Sequence, residues 1–140
     1  MEAAQRLLAA REKTRAQLEQ ALVRKGYPLD EVHEVIARLS SAGLLSDRRA
    51  AELHARKGFE ARQSTSAVAR KLSALGVDEA EAEEVVGRVQ ADVGHDDESA
   101  ALALIQQRKL TGGKAARFLA ARGFDEALIR QVVDLDDEVG

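Results

Sequence analysis

Apolar and polar positions repeat along this chain in three similar stretches, each centred on a glycine. The glycines are Gly26, Gly76 and Gly123, which lie 50 and 47 residues apart. A leucine stands four positions before each glycine, an acidic pair follows within five positions, and two aliphatic residues stand nine and ten positions after it. Apolar residues spaced by three or four positions are typical of one face of an α-helix. The pattern therefore predicts three copies of one helical module.

Residues that start and stop helices divide each module further. Thr14 and Gln17 have the spacing of a capping box, and each repeated glycine is placed to end a helix in a left-handed conformation. The acid after each glycine is expected to cap the helix that follows. Other expected starts are Ser46-Asp47, one of Ser64, Thr65 and Ser66, Asp96-Asp97, and Thr111-Gly112-Gly113.

These signals predict nine helices and an all-α fold. The predicted helices are 3–12, 15–25, 30–41, 47–57, 66–75, 79–92, 97–109, 114–122 and 126–134. Lys57-Gly58 replaces an apolar pair, so the first helix of the second module is expected to be longer or to precede a longer loop. We expect three tandem three-helix repeats, over 1–45, 46–94 and 95–140, to stack into an elongated, curved array.

Composition supports helices and narrows the chemistry. Aromatic residues make up 3% of the chain and proline occurs once, so the core is aliphatic and helix breakers are few. The chain has no cysteine, which excludes disulfides and thiolate chemistry. No apolar run approaches the roughly 20 residues of a membrane span, and the first residues do not resemble a signal peptide. We therefore expect a cytoplasmic protein that does not bind to membranes, and a monomer.

Catalytic motifs are missing. The three histidines are far apart in the sequence, so a metal site is not expected and exposed positions on helices are the better interpretation. The stretch Leu110 to Ala115 lacks the first glycine, the final hydroxyl residue and the preceding strand of a phosphate-binding loop. The acidic residues cluster as solvated faces rather than as a catalytic pair. We expect no enzyme activity and no cofactor.

Charge is sorted by helix, although the net charge is only −3. Residues 108–122 contain five basic residues and no acid, whereas 78–92 and 125–138 each contain six acids and one arginine. One interpretation is a basic surface for an acidic partner; the other is that basic second helices pair with acidic third helices inside the fold. On the first interpretation the candidate partner-binding residues are Arg56, Lys57, Arg62, Arg70, Lys71, Arg108, Lys109, Lys114, Arg117 and Arg122.

Nucleic acid is an alternative partner, because three-helix modules resemble helix-turn-helix units. The third helix of such a unit enters the major groove, and here the acidic third helices of modules two and three would be repelled by phosphate. The aromatic residues are interpreted as core residues, with only Phe59 as an exposed candidate for base stacking. A weak backbone contact through the basic second helices stays open.

Several stretches resemble the RecX family of RecA regulators. They are Arg24-Lys25-Gly26-Tyr27, the segment from Gly43 to Arg49, the segment from Ala69 to Asp78, and above all the segment from Lys114 to Phe124. The resemblance runs from about residue 3 to residue 134. It implies a cytoplasmic bacterial protein of three tandem three-helix repeats that binds along the groove of the RecA–DNA filament and inhibits the recombinase. Its implied setting is DNA repair, homologous recombination and the SOS response. A nucleic-acid-binding module and a generic helical adaptor for another acidic partner remain the alternatives.

Overall fold

The computed structural model is all-helical over the residues it describes, which are 3–4 and 12–139, with side chains described as far as residue 136. Residues 3 and 4 are helical. Within 12–139 the helices are α1 (Arg15–Arg24), α2 (Leu29–Ser41), α3 (Asp47–Glu60), α4 (Thr65–Ala74), α5 (Glu79–Val93), α6 (Asp97–Arg108), α7 (Gly112–Ala121) and α8 (Glu126–Val139). The predicted all-α class is confirmed. None of these helices is long and apolar enough to cross a membrane.

Most helix bounds agree with the predicted ones to within two residues. The first predicted helix, 3–12, falls largely on 5–11, outside the described residues. Helix α3 runs three residues beyond its predicted end, to Glu60, so the longer first helix expected in the second module is present. Helix α8 continues beyond the predicted residue 134 to Val139.

Capping residues begin the helices largely as predicted. Thr14 and Gln17 form the capping box, with the Gln17 N–H donating to the Thr14 hydroxyl and the Thr14 N–H donating to the Gln17 side chain. Ser64 is the residue that caps α4, and its hydroxyl accepts from the Ala67 N–H. The expectation for the acids after each glycine is partly wrong. Pro28 precedes α2 as its N-cap, and the side chain of Asp78 makes no capping bond.

Left-handed glycines end the second helix of every module, as predicted. The φ angles of Gly26, Gly76 and Gly123 are 98°, 87° and 87°, a region that costs a residue with a Cβ about 1 kcal/mol or more. The chain reverses at each glycine, so the third helix packs back on the second one. The most extensive contacts between helices run within each module: α1 with α2, α3 with α4 and α5, and α6 with α7 and α8.

All buried apolar residues among the described ones, except Ala50 and Leu75, fall into three clusters that share no member. The first contains Ala3, Ala4, Leu18, Leu22, Val32, Leu39 and Leu45. The second contains Ala51, Ala55, Phe59, Val68, Leu72, Val77, Ala82, Val85, Val86 and Val89. The third contains Ala100, Ala101, Leu104, Ile105, Ala115, Leu119, Phe124, Ile129 and Val132. Because each cluster lies within one predicted module, we propose to keep the boundaries 1–45, 46–94 and 95–140.

Modules one and two meet through polar and small groups. The hydroxyl of Thr14, at the N-terminus of α1, donates to the carbonyl oxygen of Leu75, the C-cap of α4. The Arg15 N–H donates to the Asp47 carboxylate at 2.7 Å, at the start of α3. A Cβ on Gly76 would overlap the side chain of Ala16. The N-terminus of α1 therefore faces the C-terminus of α4 at close range.

Modules two and three meet through groups equivalent to those that join modules one and two. The Ser64 hydroxyl, at the N-terminus of α4, donates to the carbonyl oxygen of Gly123 at 3.1 Å and that of Arg122 at 3.4 Å. The Thr65 N–H donates to the Asp97 carboxylate at 3.0 Å, at the start of α6. Among the described residues the buried polar ones are Thr14 and Ser64. The C-terminus of α4 thus meets the N-terminus of α1, and the C-terminus of α7 meets the N-terminus of α4.

The second junction also corrects two sequence-based expectations. The side chain of His95 is only 4% exposed and precedes α6, so its expected exposed position on a helix is wrong. Its ring lies 4.3 Å from the ring of Phe59, which is buried and not available for base stacking. The His95 Nε2 lies 2.6 Å from the Asp97 carboxylate. The histidine therefore links the end of α3 in module two to the start of α6 in module three.

Candidate partner-binding surface

The ten candidate partner-binding residues are all exposed to solvent. They occupy first helices, second helices and the turns between them rather than the second helices alone. Arg56 and Lys57 lie on α3, Arg62 precedes α4, Arg70 and Lys71 lie on α4, Arg108 and Lys109 end α6, Lys114 and Arg117 lie on α7, and Arg122 is its C-cap. Long cationic side chains on the surface keep their charge in water and present it to whatever approaches.

None of the ten forms an ion pair with an acid in the part of the chain that the structure describes. The ion pairs present there use other arginines, Arg38, Arg48, Arg49 and Arg130, and two histidines, His33 and His95, also lie within contact of acids. Acids of the third helices therefore do not neutralise these ten positions by direct contact, which was the competing interpretation of the charge pattern.

The acidic third helix of module two is paired from the first helix instead. The Arg48 guanidinium, on α3, donates to Glu84 of α5 at 3.0 Å and to Glu52 at 3.2 Å. The hydrogen bond and charge of Arg48 hold the pKa of Glu84 below its ordinary value, and Glu84 raises the pKa of Arg48 in return. Sequence patterning did not single out Arg48, because the two partners are 36 positions apart.

Two arginines of module three flank one aromatic ring. The guanidinium carbon of Arg108 lies 4.9 Å from the centre of the Phe118 ring, and that of Arg122 lies 4.7 Å from it. Cations at this distance from a ring are attracted by its quadrupole, by about 0.5–1 kcal/mol at exposed sites. Lys114, Phe118 and Arg122 are spaced by four positions on α7 and so share one face of that helix.

An arginine from module two joins this group. The Arg70 guanidinium, on α4, occupies the space that a Cβ on Gly123 would need. It therefore lies beside the Gly turn that carries Arg122. We call Arg70, Arg108 and Arg122, together with Phe118, the arginine cluster. It spans the junction between modules two and three, and no sequence pattern predicted that the ring of Phe118 would hold two of its members.

Other candidates share the exposure but not these contacts. Arg62 has a φ of 61° and its guanidinium donates to the Gln107 amide oxygen at 3.4 Å, again across the second junction. Arg56, Lys57 and Lys71 make no hydrogen bond to the arginine cluster in the described ranges. The candidate set is therefore a broad cationic surface with one organised centre, and the described residues contain no group of three or more metal-ligating side chains.

The fold defines an all-helical protein built from tandem three-helix modules with a cationic surface. Residues 1–39 match the model of the first three-helix domain of RecX. The chain is 36% identical to the regulatory protein RecX of Halorhodospira halophila, over 99% of this chain and 91% of that protein. It is 34% identical to the regulatory protein RecX of Mycobacterium ulcerans, over 91% of this chain and 79% of that protein. The chain belongs to the RecX family, and these relatives are named as regulatory proteins rather than as enzymes.

Solved structures share the fold at low sequence identity. The crystal structure of RecX from Lactobacillus salivarius matches with a TM-score of 0.76 at 20% identity, over 97% of this chain and 93% of that chain. A second crystal structure of a regulatory protein RecX matches with a TM-score of 0.75 at 16% identity, over 95% of this chain and 70% of that chain. Both likenesses support the helical architecture described above.

Proposed function

We propose that this protein binds the RecA–DNA filament through its cationic surface and lowers recombinase activity without performing chemistry of its own. The observation that carries the proposal is the exposure of ten cations that have no acidic partner among the described residues. An unpaired cationic surface attracts an acidic protein surface or phosphates and steers the encounter with them. The proposed place of action is the bacterial cytoplasm, where a recombinase filament assembles.

The arginine cluster is the proposed centre of the contact. Arginine forms paired hydrogen bonds to carboxylate and phosphate groups, so two arginines over one ring, with Arg70 beside the adjoining Gly123 turn, offer a dense and directional set of donors. The ring contacts of Arg108 and Arg122 hold two of these side chains in place before binding, which reduces the entropy lost on binding. The cluster also spans two modules, so one contact would fix two modules against the partner.

The tandem modules suit a partner that is itself a polymer. Their repeated glycines are spaced by 50 and 47 residues, and each of the two junctions joins an N-cap hydroxyl to a carbonyl at the end of the next second helix. Modules at regular spacing can contact successive subunits of a filament, and several weak contacts on one chain add up to a much stronger one.

The test is RecA ATP turnover and strand exchange on single-stranded DNA with added protein. The wild-type chain should slow both. The double reversal Arg108→Glu and Arg122→Glu should weaken the effect by about tenfold or more, as expected when close charge pairs are lost. Arg130→Glu is the control for each single reversal, Arg108→Glu and Arg122→Glu, because Arg130 is an exposed cation of the same module that lies on the acidic α8, outside the arginine cluster. Far-UV circular dichroism should show unchanged helix content for all variants.

Two results would contradict the proposal. The first is no change in ATP turnover at several-fold excess of wild-type protein over RecA. The second is equal loss of effect in the single reversals of Arg108 and Arg122 and in the Arg130 control, which would remove the arginine cluster as the contact. Salt-sensitive binding to DNA alone, with no effect of RecA on affinity, would instead favour the nucleic-acid-binding alternative.

A further inference from the structure

The two module junctions are copies of one connection. In each, an N-cap hydroxyl of a second helix donates to the C-terminal carbonyl of the next second helix: Thr14 to Leu75, and Ser64 to Arg122 and Gly123. In each, a left-handed glycine of the next module closes against side chains of the earlier one. Every module therefore has a donor end, which is the N-terminus of its second helix, and an acceptor end, which is the C-terminus of that helix with its glycine.

Among the described residues, one end of each kind has no partner. The unused donor end is the N-terminus of α7, where Thr111 is exposed and makes no side-chain capping bond, unlike the buried Thr14 and Ser64. The unused acceptor end is the C-terminus of α1, formed by Lys25 and Gly26. A Cβ on Gly26 would meet no described atom within 4 Å, whereas one on Gly76 or Gly123 would collide with the neighbouring module.

We propose that the donor end of one copy docks on the acceptor end of a second copy, so that the protein associates head to tail. The contact would place the Thr111 hydroxyl on the Lys25 carbonyl and Gly113 beside Gly26, as Thr14, Leu75, Ala16 and Gly76 are placed in the first junction. It continues an interface that the chain already uses twice. The internal junctions also use Asp47 or Asp97 at the start of the next first helix. The proposed contact uses only the hydroxyl, the carbonyl and the glycine.

Electrostatics favour this order of ends. The N-terminus of α7 carries the positive end of a helix dipole and the C-terminus of α1 the negative end, as at both internal junctions. The outer modules also have opposite net charge, which attracts them at long range, because 1–45 holds seven basic and six acidic residues and 95–140 holds six basic and nine acidic ones. At the contact itself Lys25 and Lys114 are both cations, and their repulsion weakens the association and makes it depend on salt. A contact between two different surfaces does not close on itself, so the assembly would be open-ended rather than a fixed dimer.

The monomer expected from the sequence would then be the species at low concentration only. Inside the chain the modules are linked covalently, which raises their effective concentration to the millimolar range. Two separate copies lack this advantage, so the association should be weak in solution.

The first measurement is sedimentation velocity of the wild-type protein from about 10 µM to about 1 mM, the range in which weak contacts become populated. The weight-average sedimentation coefficient should rise with concentration without levelling off at a dimer. Thr111→Val keeps the shape of the side chain and removes the donor, so it should lower the association constant about fivefold, the value of one hydrogen bond. Ser41→Ala, at the exposed end of α2, is the control and should have no effect.

The second measurement uses the absence of cysteine from the chain. Single variants Lys25→Cys and Gly113→Cys, combined with dissolved oxygen and copper phenanthroline as oxidant, should form a mixed disulfide roughly tenfold faster than Gly113→Cys combined with Gly87→Cys, because docking raises the local thiol concentration. Gly87 is an exposed position on α5 with open space around it. The proposal is overturned by a constant sedimentation coefficient, by association that Thr111→Val leaves unchanged, or by equal trapping rates in the two mixtures.

Discussion

The Ser64 hydroxyl has two roles that a single substitution can measure together. It accepts from the Ala67 N–H at 3.0 Å as the N-cap of α4 and donates to the Gly123 carbonyl at 3.1 Å in module three. The side chain is only 1% exposed, so water cannot replace either bond in Ser64→Ala. Loss of the cap costs about 1 kcal/mol, and the lost hydrogen bond to the partly buried Gly123 carbonyl costs about 1 kcal/mol more. The expected loss of unfolding free energy is therefore about 2 kcal/mol.

Ser46 provides the matched control for this prediction. Its hydroxyl accepts from the Arg49 N–H at 3.2 Å as the N-cap of α3, at an exposed site and with no contact to a carbonyl of another module. Ser46→Ala should therefore cost only the cap, about 1 kcal/mol. Ser64→Thr keeps the hydroxyl and should restore most of the lost stability. Urea unfolding followed by far-UV circular dichroism measures all three variants. If Ser64→Ala costs no more than Ser46→Ala, the hydroxyl contributes nothing to the junction and our account of it is wrong.

Three further substitutions and one titration test local features. Gly58→Ala should lower the unfolding free energy by about 1–3 kcal/mol, because the added Cβ would lie 2.8 Å from a methyl carbon of Val68. Urea unfolding measures this change. An unchanged unfolding free energy would mean that α3 and α4 are packed less tightly than described. Gly87→Ala should raise the unfolding free energy by about 0.5–1 kcal/mol in the same assay, because Gly87 lies on a helix with open space around it. Hydrogen bonds from the Ser99 hydroxyl and N–H lower the pKa of Asp96 below its ordinary value of 3.8. That stabilisation is present above pH 3.8 and is lost as the pH falls through the lower pKa of the folded state. Ser99→Ala should raise the pKa of Asp96 in an NMR titration, and an unchanged value would show that the hydroxyl does not hold the carboxylate.

Sequence reasoning succeeded where a feature is local. The capping box of Thr14 and Gln17 spans three positions, and a helix that ends at a glycine needs only that residue and its neighbours. The acids after the glycines were overinterpreted, because Pro28 already begins α2 and Asp78 needs no side-chain bond to precede a helix.

Features that depend on distant partners could not be predicted. The Thr14 hydroxyl reaches a carbonyl 61 positions away and the Ser64 hydroxyl one 59 positions away, and backbone carbonyls leave no mark in a sequence. His95 was misjudged for the same reason, since its burial depends on the ring of Phe59 in another module. The charge pattern identified the exposed cations but could not decide whether acids of the third helices would neutralise them. That depends on the direction of each side chain, which only the structure supplies.

The separation of the core into three clusters explains how so little sequence identity can accompany so similar a fold. No buried apolar residue belongs to two clusters, so a change of volume in one needs compensation only within the same module. Each connection between modules pairs a main-chain carbonyl or amide, which every sequence provides, with one hydroxyl or carboxylate side chain, so few positions at a junction are constrained. Each module can therefore exchange its aliphatic side chains independently while the arrangement of helices is preserved. That tolerance is consistent with a TM-score of 0.75 at 16% identity.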